Sequence, residues 1–373
     1  METGNFFENE IISSNYKFNS FVVPFYDSNE IFSNKKSGYI DFYKNYLVLA
    51  FTSGKIIFVN KKKMYQNNFE FFEVKNNLKD NFFNQKIIWT GIKDIKVIGD
   101  FIYVSLTKEV KQGCYNTSLF KAELNTINLI FKEVFSPDEC FEVAKQIQAF
   151  KYFNGAQSGG RIVNNDESIF LTLGDYNYWE RVQKLDSFAG KILKLDIYSN
   201  EYEILSVGHR NPQGLYYLKE YNHLISTEHG PKGGDEINLI KINSSNIQNF
   251  GWPISSYGYH YDVVPLNSYV KKVAPLEKNH TKYGFIEPKK YFINSIGISE
   301  IIKNPFKKDS FLIASLKEMT LFDISFDNQF NFQRINEKIN INERIRDLGF
   351  DNENNCVFLY GETSPKLLLM CKK

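Results

Sequence analysis

The sequence predicts an all-β chain folded as a six-bladed β-propeller, and three observations predict it. Aromatic residues are abundant, with 34 Phe and 23 Tyr in 373 residues, and such residues favour pleated strands over long helices. One pattern recurs: a short apolar strand, a polar turn, a stronger β-branched or aromatic strand, then another strand after a loop. The stronger strands begin near Leu47, Ile102, Ile169, His223, Phe311 and Val357, and repeats of this length suit small sheets that bury their faces against one another in a ring. A pair of β-sandwich domains is the alternative, disfavoured by the even spacing and by the absence of any linker.

Taken in order, the blade-like units begin near residues 38, 94, 159, 212, 298 and 344. The first is read in "GYIDFYKNYLVLAFTSGKIIFVN", the second in "DIKVIGDFIYVSL" with "SLFKAEL", and the third in "GGRIVNNDESIFLTLGD" with "GKILKLDIY". The fourth spans "QGLYYLKEYNHLISTEHG" with "EINLIKI", the fifth "SEIIKNPFKKDSFLIASL" with "MTLFDISF", and the sixth "IRDLGFDNENNCVFLYGE" with "KLLLMC". The long step after the fourth unit holds an insertion over about 252–297, rich in Tyr, Pro and Lys. The strand-like "FNSFVVPFY" near the start is placed to pair with the last unit and close the ring, so that residues 1–373 form a single domain.

Lys plus Arg (45) nearly balances Asp plus Glu (43), which removes the electrostatic case for nucleic acid or an anionic membrane as partner. No apolar run approaches the roughly 20 residues that span a bilayer, and "METGNFFENEIISS" has neither a basic nor an apolar leader region, so the chain reads as soluble. Cys114, Cys140, Cys356 and Cys371 include no CxxC pair, which argues against a zinc or thioredoxin-type site. Cys356 and Cys371 flank two strands around a Ser-Pro turn, where a cross-strand disulfide and two free thiols both fit. The disulfide would imply an oxidising compartment, periplasmic or secreted.

Loops entering the inner strands of such a ring gather on one face, and two neighbouring stretches there are chemically dense: "GHRNPQGLYY" at 208–217 and "STEHGPKGGDEINLI" at 226–240. With "QSGGR", "SLK" and "ERIRD" they bring Arg161, Arg210, Lys317, Arg344 and Arg346 to one mouth. Cations so gathered repel unless an anion or carboxylates neutralise them, and a polyanionic small ligand is the economical explanation. Guanidinium forks suit its carboxylates, and Asn211 and Gln213 suit ring heteroatoms and carbonyls. In "HGPKGGDE", the carbonyls of Gly230 and Pro231 with Glu228, Asp235 and Glu236 offer hard oxygen ligands suited to calcium. The bland alternative is a plain loop capped by Asp235.

The ordered set "GHRNPQGL", "EHGPKGGDEINLI", "NFGWP", "GGRIV" with "LTLGD", "SLK" and "RIRD" resembles the soluble quinoprotein aldose/glucose dehydrogenase family of glucose/sorbosone dehydrogenase type. The resemblance is dense over about 155–253, returns over about 310–347 and is weak before 150. It implies a six-bladed propeller that uses pyrroloquinoline quinone (PQQ) and calcium to oxidise a sugar or related alcohol. It also implies that Arg210, Asn211, Gln213, Lys317, Arg344 and Arg346 contact the quinone, and that Gly230 and Pro231 bind the calcium through their carbonyls. No motif identifies an electron acceptor.

One departure stands out. The family's general-base histidine is expected four residues before Arg161, where this chain has Gln157, which takes up no proton near neutral pH. Asp175 in "LTLGD" is the leading substitute base, with support of Gln157 or of a loop as its structural alternative. The Gln-Gly-containing motif expected in the early blades also has no counterpart in "NQKIIWTGIKDIKV". His209 is expected to pack, His223 to sit in a strand, His280 in a loop, and His229 and His260 near mouth loops; Trp252 is expected to pack a blade corner. The competing function is a non-catalytic propeller that binds a sugar, an anionic ligand or a protein partner.

Overall fold

The structure is a computed structural model, and it describes residues 2–4, 7–8, 15–23, 36–78, 90–142, 155–199, 201–262, 264 and 266–373. Among the described residues six sheets make up the fold, antiparallel except where the two-residue strands Asn128–Leu129 and Gln248–Asn249 add in parallel. Their inner strands are Gly38–Tyr43, Gly91–Ile98, Gly159–Asn164, Pro212–Leu218, Ile298–Lys303 and Ile345–Asp351. Each touches the inner strand of the blade before and the blade after, and the sixth touches the first, so the sheets form a closed six-bladed propeller around a hub.

The second strands begin at Tyr46, Phe101, Ser168, His223, Ser310 and Cys356. Three of them, Ser168–Leu173, Ser310–Ser315 and Cys356–Gly361, are buried at every position, because each blade is covered on both faces by its neighbours and its middle strands read as continuous apolar runs. The core follows the same logic, with one apolar cluster per blade interface. Val48, Phe58, Ile95 and Phe120 fill the first interface, and Phe21, Leu47, Phe358 and Leu367 fill the last.

Closure uses both chain ends. Tyr16–Val22 pairs antiparallel with Lys366–Lys372 as the fourth strand of blade 6, which puts the buried Phe21 against Phe69 of blade 1. The stretch over 252–297 contains the short helix Ser268–Val273 and ends in Lys290–Phe292, which pairs with Asp235–Ile237 as the fourth strand of blade 4.

Polar links tie neighbouring blades at the hub. The carboxylates of Asp41, Asp94 and Asp347 accept from the backbone N–H groups of Val97, Ile162 and Ile40 at 2.7, 2.7 and 2.6 Å. Farther out, the hydroxyls of Thr52, Ser105, Thr172 and Thr227 donate to carbonyls of the next blade.

Two disulfides are present. Cys356–Cys371 joins directly opposed residues of blade 6, so the free-thiol alternative is set aside, and Cys114–Cys140 closes a second loop that the sequence left open. Among the described residues no helix is long and apolar enough to cross a membrane.

Candidate functional site

Five of the six inner strands carry a register shift at the same level of the hub, between Ile92 and Asp94, Gly159 and Ile162, Pro212 and Gly214, Ile298 and Ile301, and Ile345 and Asp347. A bulge leaves a residue out of the ladder and re-aims its side chain. The residues released include Lys93, Arg161, Gln213, Glu300 and Arg346.

These five divide into two groups. Lys93, Gln213 and Arg346 face a cavity of ≈ 230 Å³, whose wall also holds Tyr39, Gln157, Asn211, His229 and Arg344. Arg161, expected among the mouth cations, does not line it. Its buried guanidinium is ion-paired to Asp94, Glu300 and Asp347 at 3.2, 2.8 and 2.6 Å, and it donates to the carbonyls of Gln213 and Arg346. Three carboxylates on converging inner strands already neutralise it, so it serves as a plug of the hub.

Arg344 and Arg346 come to the cavity as expected, with a partner the sequence did not reveal. The buried Glu362 accepts from Arg346 Nε and Nη2 at 2.8 and 3.1 Å and from Arg344 Nε at 3.1 Å, and Ser37 Oγ donates to it at 2.6 Å. Burial alone would raise its carboxyl, but Arg346 and these donors hold it below the usual value. Arg346 Nη1 also donates to Gln213 Oε1 at 2.9 Å. Asn211 Oδ1 accepts from Gly159 N–H and Gln213 Nε2 at 3.1 Å each, so amide and guanidinium groups from blades 3, 4 and 6 form one network.

Gln157 lines the cavity in a left-handed conformation, φ 56°. Its carbonyl accepts from Tyr176 N–H at 2.9 Å, and a Cβ at Gly174 would collide with that carbonyl, so the 155–158 loop is clamped on the 174–176 loop. Asp175, expected as a substitute base, lies behind this clamp. It is fully buried, and its two oxygens accept from Trp252 Nε1 and Asn177 N–H at 2.8 Å each. Burial pushes its carboxyl up to about 6, against the opposing pull of Arg210. Asp175 does not line the cavity; it supports the loop and fixes Trp252.

Arg210 stands one layer back from the wall, its guanidinium 5.4 Å from the Trp252 ring centroid, and Nη1 donates to the carbonyl of His229 at 3.0 Å. Lys317 is exposed at the rim, where Nζ donates to the carbonyl of Ser295 at 3.0 Å. Ser295 Oγ in turn donates to the carbonyl of Pro231 at 3.1 Å, which places Lys317 beside the Gly230–Pro231 turn. His229 lines the cavity, and burial pushes its imidazole down to about 4, reinforced by Arg346 and Arg210 against Asp235.

Of the expected metal carboxylates, Asp235 parts from Glu228 and Glu236, which share the side-chain amide of Asn238. Asp235 caps the loop, with one oxygen accepting from Gly230 N–H at 3.1 Å and the other from Gly297 N–H at 2.8 Å. Adjacent strand residues point to opposite faces, so Glu236 turns away, toward Asn238 and His280. Burial and the nearby Glu228 raise its carboxyl well above the ordinary value. Among the described residues no group of three or more His, Cys, Asp or Glu could hold a metal ion. His209, as expected, packs: it is fully buried and stacks on Phe250 at 4.9 Å.

Comparison with known proteins adds to this geometry. A family model described as glucose / sorbosone dehydrogenase matches residues 47–369. An aldose sugar dehydrogenase of Escherichia coli is 28% identical over 241 residues, 58% of this chain and 61% of that protein. Quinoprotein glucose dehydrogenase B of Acinetobacter calcoaceticus is 29% identical over 140 residues, 28% of either chain. The chain thus spans less than two thirds of the curated relatives it matches. The apo form of the soluble aldose sugar dehydrogenase from Escherichia coli superposes with a TM-score of 0.73 at 19% identity, covering 95% of this chain and 100% of that one. The PQQ-bound form of an aldose sugar dehydrogenase from Streptomyces coelicolor does so with a TM-score of 0.66 at 16% identity, covering 96% and 99%. At these identities the structural likeness is one of fold.

Proposed function

Since the chain belongs to the glucose/sorbosone dehydrogenase family, we propose that its hub cavity holds PQQ with calcium and that it oxidises an aldose or a related alcohol. The observation that carries this reading is the polarity of the wall. Lys93, Arg344 and Arg346 line the cavity and, among the described residues, no carboxylate does. Buried around it, Gln157 Oε1, Arg210 Nε and His229 Nε2 have no hydrogen-bond partner. Unsatisfied buried polar atoms are costly, and a tricarboxylate with ring heteroatoms would offset that cost.

In this reading Arg346 and Arg344 bind carboxylates, Asn211 and Gln213 meet ring heteroatoms, Arg210 closes the site from behind, and Lys317 reaches in from the rim. When bound, the quinone supplies a carbonyl that accepts hydride. Calcium fits only together with the cofactor, because Asp235 and Glu236 are engaged elsewhere and the turn offers the backbone carbonyls of Gly230 and Pro231. Addition of calcium alone is therefore expected to leave the melting temperature unchanged, and calcium with PQQ to raise it. The two disulfides accord with a periplasmic or secreted protein.

Gln157 stands where the family resemblance expects a histidine base. Its amide orients a substrate or cofactor oxygen and moves no proton. With Asp175 also committed to Trp252, one observation favours a second reading, a propeller that binds without turnover. The experiment is reconstitution with PQQ and calcium, followed by the cofactor spectrum and by dye reduction with a panel of aldoses. Binding with reduction supports the enzyme, binding without it the second reading, and no binding defeats both.

A further inference from the structure

Lys93 is the one lysine among the described residues that line the cavity, and nothing in the family resemblance assigns it a part. It is the residue left out of the ladder between Ile92 and Asp94, the same hub level at which Gln213 and Arg346 are released in blades 4 and 6. Its Nζ donates to the carbonyl of Gly155 at 3.4 Å, on the loop that carries Gln157. Gly160 holds it there, since a Cβ at that position would collide with the Cβ of Lys93.

We propose that Lys93 is the acid–base residue of this site, its neutral amine taking the hydroxyl proton of the sugar; the proposal rests on the dehydrogenase reading above. The proton passes to Nζ, the O–H electron pair becomes the second bond of the product carbonyl, and the C–H pair leaves as hydride to the quinone-class oxidant. The ammonium then returns the proton to water.

The surroundings favour a neutral amine. Burial, then Arg346, push Lys93 down to about 7. Facing the same space are Arg344 and Arg346 from blade 6, Tyr39 from blade 1, whose phenol is pushed up to about 12 by burial, and His229, pushed down to about 4. On its own strand Asp94 turns to Arg161. Of the amine, the phenol and the imidazole, Lys93 lies nearest the working pH, where a base is most effective. Because its value is lowered, the amine is a proton acceptor above about pH 7 and is lost as one below it.

The test has two arms. In the protein without cofactor, trace labelling with acetic anhydride across pH, read by peptide mass spectrometry, should show Lys93 half-reactive near pH 7, while the lysine of an added short reference peptide is half-reactive near pH 10.4. In the reconstituted protein, Lys93→Met and Lys93→Arg should keep the bound-cofactor spectrum and lose roughly 10²- to 10⁴-fold in kcat, and the wild-type rate should fall on acidification with a midpoint that both variants abolish. Labelling of Lys93 in step with the reference peptide would overturn the proposal, as would a Lys93→Met protein that turns over like wild type. A wild type that binds PQQ and reduces no dye, or that fails to bind PQQ, would instead sink the dehydrogenase reading itself, and the proposal with it.

Discussion

Glu362 shows how much a single side chain contributes at this hub. It holds both guanidiniums of the "RIRD" pair at a point where the sequence shows only cations, because the two stretches are joined solely by the turn between paired strands. Removing one partner of a buried ion pair typically costs about 3–5 kcal/mol. Glu362→Gln should therefore lose about 3 kcal/mol in urea unfolding, and bound PQQ should recover part of it by supplying carboxylates in its place. Asp175 illustrates the reverse case, a residue legible by motif whose orientation was not. Its folded-state value, about 6, lies above the unfolded one near 3.9, so its contribution is present at low pH and lost as pH rises between them. Asp175→Asn should flatten the stability–pH curve over that window, which thermal unfolding measured from pH 3 to 7 would register.

Bulges are what turn plain strands into a site. The segments "IKDI" at 92–95 and "IRDL" at 345–348 repeat the same device: a basic residue released toward the cavity, followed by an aspartate that pairs with Arg161. This internal echo was the available signal for Lys93, and it is short enough to pass unnoticed without the register. Gly160, with φ +110° and its Cα against Lys93, keeps the second and third inner strands close enough for it to operate. Gly160→Ala should cost about 1–3 kcal/mol through the strained backbone and displace Lys93. Chemical denaturation would measure the first effect, and a shift in Lys93 labelling pH the second.

At the scale of the molecule, two features govern how the ring holds. One is the plug, where Asp94, Glu300 and Asp347 surround a single guanidinium and are all raised, chiefly by burial, above the ordinary carboxylate value. Groups raised in the folded state lose their stabilising contribution as pH climbs from about 4. Arg161→Gln should deepen that loss by removing the guanidinium ion-paired to all three, giving a melting temperature that falls more steeply with pH than that of wild type. The other is closure. The strand Tyr16–Val22 brings Phe21 into the blade 6–blade 1 interface with no exposed surface, and Phe21→Ala should cost about 3–5 kcal/mol. Loss of the Cys356–Cys371 bond, which closes a 15-residue separation, should cost about 3 kcal/mol more, both measurable in guanidinium chloride.

By itself the sequence determined the all-β class, the six repeats, the closing strand and part of the cavity wall, Gln157, Asn211, Gln213, Arg344 and Arg346, because hydrophobic alternation, turn chemistry and long ordered motifs are local properties of the chain. Tertiary structure alone decided that Arg161 is a neutralised plug, that Glu362 sits behind the paired arginines, that Asp175 and Glu236 face away from the cavity, and that Lys93 faces into it. Those outcomes depend on strand register and on which blades meet at the hub, and a side chain's direction across a bulge is set by hydrogen bonds to a neighbouring strand that no stretch of sequence contains.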